Sequence, residues 1–171
     1  MNQLKFLKLK ENVLLVDTIF KEGNCFFRAI SCFLMVTEQY HKYYRKLLYN
    51  YILENKEEII INNPYYNGKL IDIEDYIPLI NKIGNYAGNF ECNIMNKIID
   101  FNILVLNYYE DNNISENYYL FLNYYGKLDE KKYIPLCILE YIESESHYQL
   151  LYFNDNFNEE EFALKIIIII I

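Results

Sequence analysis

The hydrophobic pattern of this 171-residue chain changes once, near residue 100, and that change limits the folds open to it. Before residue 100, apolar residues recur at helical spacing, which predicts helices over residues 25–36, 38–61, 73–83 and 90–100. After it, runs rich in β-branched and aromatic residues predict strands over residues 102–109, 118–125, 133–142 and 147–153. A helical front half followed by a β-rich second half is typical of an α+β domain.

The length of the chain favours one domain with one sizeable core, spanning residues 1–171. We expect the core to cover about residues 13–153, beginning with an extended or mixed segment at 13–20. The remaining tail, residues 158–171, ends in six isoleucines, and the sequence assigns it no function.

Charge and cysteine content exclude several kinds of partner. The net charge of −8, from 16 basic and 24 acidic residues, disfavours binding to a nucleic-acid backbone. The four cysteines show no C-x-x-C spacing and there are two histidines, so we expect neither a metal site nor a disulfide framework. No signal peptide or membrane span is apparent. These features indicate a reducing, cytoplasmic setting.

A cysteine follows a glycine turn at the start of the first apolar helical segment, where residues 22–29 read EGNCFFRA. Cysteine attacks a carbonyl as the thiolate, and a helix N-terminus or a neighbouring imidazolium lowers its pKa from about 8.5. Gly23 and Asn24 permit a tight turn and a cap, and the same turn can aim backbone N–H groups at an oxyanion. Cys25 is therefore a candidate nucleophile, although a free cysteine is more commonly a small core residue.

A histidine lies far downstream on an alternating strand pattern, in residues 145–151, which read ESHYQLL. A suitably placed imidazole accepts the thiol proton and later donates a proton to the leaving amine. Alone, His147 would be read as a half-exposed strand residue. Together with Cys25, within these flanking residues, it favours a thiol-protease site.

The two segments together resemble the signature of the ovarian tumour (OTU) family of deubiquitinating cysteine proteases. That family typically shows Asp-Gly-Asn-Cys-aromatic/Leu-Phe-Arg-Ala, which resembles residues 22–29. Its Trp-Gly-x-x-x-Glu-type segment is similar to residues 86–91, YAGNFE. The resemblance covers about residues 13–153 and implies a papain-like OTU domain, with a central, mostly antiparallel sheet flanked by helices.

The chain departs from this family pattern at three places. Glu22 replaces the usual Asp in the loop that helps to shape the oxyanion site, so Glu22 is counted with the candidate site. Tyr86 and Ala87 replace Trp and Gly. Gln149 stands two residues after the histidine, where the family often has Asn or Asp.

The residue that orients His147 has two interpretations. Because i and i+2 share a face of a strand, Gln149 should lie beside His147, where its carbonyl oxygen could accept from the imidazole Nδ1–H. Alternatively, an acid from another segment orients the ring, as in some family branches; Asp17 is that candidate, with Glu145 the weaker one. An ordinary polar strand residue remains the competing interpretation of Gln149.

Two neighbours of the cysteine segment carry expectations of their own. His41 lies in a polar helical stretch and is expected at the surface. Arg28 is expected either to form a structural ion pair or to steady the loop before Cys25.

The resemblance implies hydrolysis of the isopeptide bond after the Gly-Gly terminus of ubiquitin or a ubiquitin-like modifier. In that reaction Cys25 is the nucleophile, His147 is base and then acid, and backbone N–H groups of the 22–24 loop form the oxyanion hole. Ubiquitin or polyubiquitin chains are the expected partners, with no cofactor, nucleic acid or membrane. Two alternatives remain open: a weak or inactive OTU domain that binds ubiquitin, and a thiol protease with another target, such as a viral polyprotein or a host protein.

Overall fold

The computed structural model describes residues 14–59, 64–66, 69–109, 118–126 and 134–153. Residues 1–13 and the tail at 158–171 lie outside these ranges. The described residues group into two compact units, one over residues 19–99 and one formed by residues 14–18 with those beyond 99. The expectation of a single domain stays a prediction.

The elements follow the order that the hydrophobic pattern predicts, helices first and strands after. In chain order they are β1 (Leu14–Asp17), α1 (Cys25–Met35), α2 (His41–Glu54), α3 (Lys56–Ile59), β2 (Tyr65–Tyr66), β3 (Lys69–Leu70), α4 (Ile73–Ile80), α5 (Asn89–Ile98), β4 (Asn102–Tyr109), β5 (Tyr118–Tyr125), β6 (Leu136–Ile142) and β7 (His147–Phe153). Short 3-10 helices cover Glu38–Tyr40 and Glu143–Glu145.

The unit beyond residue 99 contains a five-stranded sheet in the order β1-β7-β6-β4-β5. Strands β4 and β6 run parallel, and the other neighbouring pairs are antiparallel. The predicted α+β class and the mostly antiparallel sheet are therefore confirmed. The first five residues of β6 are all buried, as expected of a strand covered on both faces.

The unit over residues 19–99 is helical and is built around α1 and α2. The α1 helix buries Phe26, Phe27 and Ile30. On α2 the buried residues recur at helical spacing and include Leu48 and Ile52. Burial of each such side chain stabilises the fold by roughly 1.5–3 kcal/mol.

Two details of the helical unit differ from the sequence-based expectation. The predicted helix over 38–61 is divided into three pieces, and α2 ends where the Asn55 side-chain Nδ2 donates to the Tyr51 carbonyl at 2.9 Å. His41, expected at the surface, is buried because it begins the inward face of α2. Burial is also the main reason that the pKa of His41 is lowered.

Within the described ranges, no helix combines the length and apolar character needed to cross a bilayer. The same part of the chain holds no group of three or more His, Cys, Asp and Glu side chains placed to bind a metal ion.

The α1 helix ends on a strained residue. Val36 has φ 57° and ψ 24°, the left-handed region, and its N–H donates to the Cys32 carbonyl at 2.9 Å. An L-residue pays about 1–2 kcal/mol for this conformation, and glycine does not. Val36 is 88% exposed, so its side chain contributes little packing in return.

We predict that Val36→Gly stabilises the protein. Relief of strain outweighs the extra flexibility that glycine gives the unfolded chain, leaving a gain of about 1 kcal/mol and a rise in Tm of about 3 °C. Urea unfolding monitored by circular dichroism measures the change in the free energy of unfolding. Val36→Ala is the control, because alanine keeps the Cβ atom. A glycine variant no more stable than the alanine variant would contradict this account.

Candidate active site

Cys25 is the first residue of α1 and is 1% exposed. Its backbone N–H donates to the Glu22 carbonyl at 3.0 Å, and the Arg28 N–H donates to the Asn24 carbonyl at 2.9 Å. The helix therefore begins at the sulfur-bearing residue, as the sequence predicts. A thiolate in this position is favoured by the positive end of the helix dipole.

Glu22 braces the loop before Cys25. Its Oε1 accepts from the Asn24 Nδ2 at 2.9 Å and from the Arg28 Nε at 2.6 Å. The hydrogen bond from Asn24 and the charge of Arg28 lower the pKa of Glu22, against partial burial. Arg28 also lies 3.3 Å from the Glu38 carboxylate. Arg28 thus forms an ion pair with Glu22, and because Glu22 belongs to the loop before Cys25, the same pair steadies that loop.

The backbone of Gly23 lies directly against the backbone of Gly84. A Cβ atom at Gly23 would overlap the Gly84 carbonyl, so this position requires glycine. Gly84 itself has φ 91°, which L-residues rarely adopt. The Asn24 side chain fastens this contact, because its Oδ1 accepts from the Gly84 N–H at 2.9 Å.

Backbone N–H groups of the loop before Cys25 are the candidate oxyanion donors. The Cys25 N–H is used within the turn by the Glu22 carbonyl. Among the described residues, no acceptor takes a hydrogen bond from the N–H groups of Gly23 or Asn24, and both residues are buried. A buried donor without an acceptor is uncommon, and it is what an oxyanion site requires. The oxyanion role expected of the 22–24 loop stays a prediction, and Gly23 and Asn24 are the buried members of that loop.

Arg45 is a residue of this region that the sequence analysis did not single out. It lies on α2, is 2% exposed, and donates to the Gly23 carbonyl at 3.1 Å and the Asn24 Oδ1 at 2.8 Å. Its spacing on α2 was the available signal, because Arg45 precedes the buried Leu48 and Ile52 by three and seven residues.

Glu91 is the last residue of the segment 86–91, which is similar to the family's Trp-Gly-x-x-x-Glu segment. The residue is 2% exposed in the first turn of α5, and its Oε2 accepts from the Gly88 N–H at 2.6 Å. Burial raises the pKa of Glu91 to about 7, against the lowering effect of that hydrogen bond and of Arg45. The carboxyl group therefore keeps its proton to a higher pH in the folded protein than in the unfolded chain.

We predict that Glu91→Gln removes a pH-dependent loss of stability. A carboxyl whose pKa is raised from 4.5 to about 7 stabilises the fold fully below pH 4.5, and that contribution is lost as the pH rises through 7. The shift in pKa corresponds to about 3 kcal/mol in the free energy of unfolding. Urea unfolding at pH 4 and at pH 8 should show the wild type losing this much relative to the Gln variant. Parallel pH profiles for the two proteins would contradict the prediction.

His147 begins β7 and is 3% exposed. In the register with β6 it lies opposite Ile142, and Gln149 lies opposite Glu140. Since alternate residues of a strand share a face, Gln149 lies on the same face of the sheet as His147. Ser146, with φ 49°, turns the chain immediately before the histidine.

The other two candidates for orienting His147 lie elsewhere in this unit. Asp17 pairs with Leu150, and its Oδ2 accepts from the Tyr152 hydroxyl at 3.2 Å. Register partners point to the same side of a sheet, so Asp17 lies on the face opposite to that of His147. Glu145 is exposed in the 3-10 helix that precedes β7.

Glu140 is an acid that the sequence analysis missed. It is 7% exposed and lies opposite Gln149, on the same sheet face as His147. The diagonal distance between such positions is within reach of long side chains. A single carboxylate inside the otherwise apolar strand LCILEYI was the signal that could have identified it.

A protein-family model described as OTU-like cysteine protease matches residues 21–148. That range is well over half of the chain. The chain therefore belongs to the OTU-like cysteine protease family. The match begins just before the Cys25 loop and ends one residue after His147, so both candidate catalytic residues fall inside it.

Among curated proteins, the chain is similar to OVARIAN TUMOR DOMAIN-containing deubiquitinating enzyme 7 of Arabidopsis thaliana. The two are 33% identical over 84 residues, which is 49% of this chain and 21% of that protein. The matched part of the chain thus corresponds to about a fifth of the plant enzyme's length.

Solved structures show the same fold. The chain is similar to the OTU domain of OTUD1, with a TM-score of 0.64, 19% identity, and coverage of 81% of this chain and 85% of that one. It is also similar to the Hazara virus OTU bound to ubiquitin, with a TM-score of 0.63, 12% identity, and coverage of 82% of each chain.

Proposed function

We propose that this protein is a cysteine-type deubiquitinase that hydrolyses the isopeptide bond after the Gly-Gly terminus of ubiquitin or a ubiquitin-like modifier. The observation that carries the proposal is the family match over residues 21–148, which includes Cys25 and His147 in their family-like segments. The plant relative named as a deubiquitinating enzyme and the ubiquitin-bound Hazara virus domain support ubiquitin as the substrate class.

The proposed reaction has two steps. His147 takes the Cys25 proton, the Sγ attacks the C-terminal glycine carbonyl, and the oxyanion is held by backbone N–H groups of Gly23 and Asn24. The C–N bond then breaks as His147 donates its proton to the leaving lysine amine, which leaves a thioester on Cys25. Water, activated by His147, hydrolyses the thioester, releases the carboxylate and restores the thiol.

Gln149 is the proposed orienting residue for the His147 ring. Its place on the same sheet face supports this role, and the opposite face occupied by Asp17 argues against the alternative. Glu140, opposite Gln149, would in turn hold the Gln149 amide group so that its carbonyl oxygen accepts from the imidazole. A neutral amide can orient the ring in this way, as an Asn does in papain-like proteases.

Ubiquitin or a polyubiquitin chain is the proposed partner, in the cytoplasm, or in the host cytosol for a viral or effector protein. The net charge of −8 is compatible with a basic protein surface such as ubiquitin presents. The thiol chemistry described above requires a reducing compartment, because an oxidised Cys25 is not a nucleophile.

We predict that purified protein cleaves diubiquitin and that Cys25→Ala abolishes the cleavage. His147→Gln should lower kcat by about 10²–10⁴-fold, because it removes the general base. Gel analysis and initial rates on a fluorogenic ubiquitin substrate measure both effects. Cys32→Ala is the matched control, since Cys32 lies on the same helix seven residues further on and is outside the proposed site.

Cleavage that persists in the Cys25→Ala protein would exclude the proposal. Binding of ubiquitin by calorimetry, without turnover in the wild type, would instead favour the second candidate function, a ubiquitin-binding OTU domain without activity. The specific observation behind that candidate is Gln149, which stands where the family often has Asn or Asp.

We predict that Gln149→Ala lowers kcat by about tenfold, which is the worth of one transition-state hydrogen bond of about 1.4 kcal/mol. Asp17→Asn should leave kcat within experimental error, because Asp17 faces the other side of the sheet. The same fluorogenic assay compares the two variants. A large loss with Asp17→Asn and none with Gln149→Ala would assign the orienting role to the acid.

A further inference from the structure

Arg45 is a buried cation that is bound by neutral groups. Its guanidinium donates to the carbonyls of Gly23 (3.1 Å), Ile80 (3.0 Å) and Asn85 (2.7 Å), and to the Asn24 Oδ1 (2.8 Å). Within the described part of the chain, no carboxylate lies within ion-pair distance of it. Burying a cation without a carboxylate partner costs free energy, so a residue that only filled space would be better apolar.

The four acceptors belong to two segments that are far apart in the sequence. Gly23 and Asn24 immediately precede Cys25, whereas Ile80 and Asn85 belong to the end of α4 and the loop after it. The planar guanidinium fixes several acceptors at once in a rigid geometry. Its plane also lies over the Phe27 ring, with the Cζ 4.3 Å from the ring centroid. Arg45 therefore connects the loop before the nucleophile to a second loop of the same unit.

Arg45 also acts on Cys25 through charge. Burial lowers the pKa of Arg45 to about 10, and interactions with Glu91, Cys25 and Glu22 oppose that lowering. The attraction between the guanidinium and the thiolate is mutual, so the cation favours the ionised form of Cys25. Arg45 stays protonated at physiological pH, so this effect is present whenever the protein would act.

We propose that Arg45 is a positioning residue, which fixes the Gly23–Asn24 backbone so that its N–H groups meet the oxyanion formed when Cys25 attacks. It acts through the loop and does not touch the substrate. This inference rests on the proposed hydrolysis by Cys25, and it adds a residue on α2 to the machinery of that reaction. Two observations support the inference: Arg45 hydrogen-bonds to Gly23 and Asn24, and the N–H groups of these two residues have no acceptor among the described residues.

The test uses the full chain and three variants. Arg45→Gln removes the charge and most of the hydrogen bonds, and Arg45→Lys keeps the charge but loses the planar fork. Ile52→Ala is the matched control for lost stability, because Ile52 is fully buried on the same helix, seven residues or two turns beyond Arg45. Thermal unfolding first establishes that each variant is folded at the assay temperature.

Two measurements follow on each folded variant. Steady-state kinetics on a fluorogenic ubiquitin substrate separates kcat from KM. The rate of Cys25 alkylation by iodoacetamide, followed from pH 4 to pH 10, reports the thiol pKa and needs no ubiquitin. Peptide mass analysis confirms that the alkylated residue is Cys25.

The positioning role predicts a kcat about 100-fold lower in both Arg45 variants with KM unchanged, since small misplacements of reacting groups cost this much. Arg45→Gln should also raise the thiol pKa, whereas Arg45→Lys should keep it close to the wild-type value. The Ile52→Ala control should melt earlier with unchanged kcat and alkylation profile. Normal kcat in a folded Arg45→Gln variant would overturn the inference.

Two further outcomes remain decisive. Where Arg45→Gln does not fold, Arg45→Lys carries the test, and a wild-type kcat for it would overturn the inference. Where the wild type does not hydrolyse ubiquitin at all, the proposed function fails, and alkylation alone then tests Arg45. In that case a raised thiol pKa in a neutral, folded Arg45 variant supports the link to Cys25, and an unchanged one overturns it.

Discussion

The close approach of two glycine backbones is the constraint on which the helical unit's site depends. Gly23 has no room for a side chain against the Gly84 carbonyl, and Asn24 accepts a hydrogen bond from the Gly84 N–H. Arg45 donates a second hydrogen bond to the same Asn24 oxygen. A loop held at so many points has little freedom, so the residue that follows it, Cys25, enters its helix in one defined direction.

The Cys25 thiol and the His147 imidazole of the proposed reaction are positioned by different structural features. Cys25 is placed at a helix start by the hydrogen-bonded loop that precedes it, and the helix dipole acts on it there. His147 is placed by strand register, which decides the sheet face on which each residue lies. Register is why Gln149 accompanies His147 while Asp17, only one strand away, faces the other side.

Sequence reasoning succeeded where the signal is local. The start of α1 at Cys25 and the bounds of β4, β5 and β7 follow from turn residues and from runs of β-branched and aromatic residues. It failed where contacts are distant in sequence. The acceptors of Arg45 come from two segments that are distant in sequence. The burial of His41 depends on what packs against α2, and the sheet face of Asp17 depends on its partner strand. None of these contacts can be predicted from a few adjacent residues.

The most direct test of the central claim is intact-mass analysis after incubation with ubiquitin that carries a thiol-reactive group at its C-terminus. The account predicts a mass gain of one ubiquitin in the wild type and none in Cys25→Ala. That adduct requires both recognition of the ubiquitin tail and an activated thiol at this one position. Absence of the adduct, with Cys25 still open to a small alkylating reagent, would contradict the assignment of ubiquitin as the substrate.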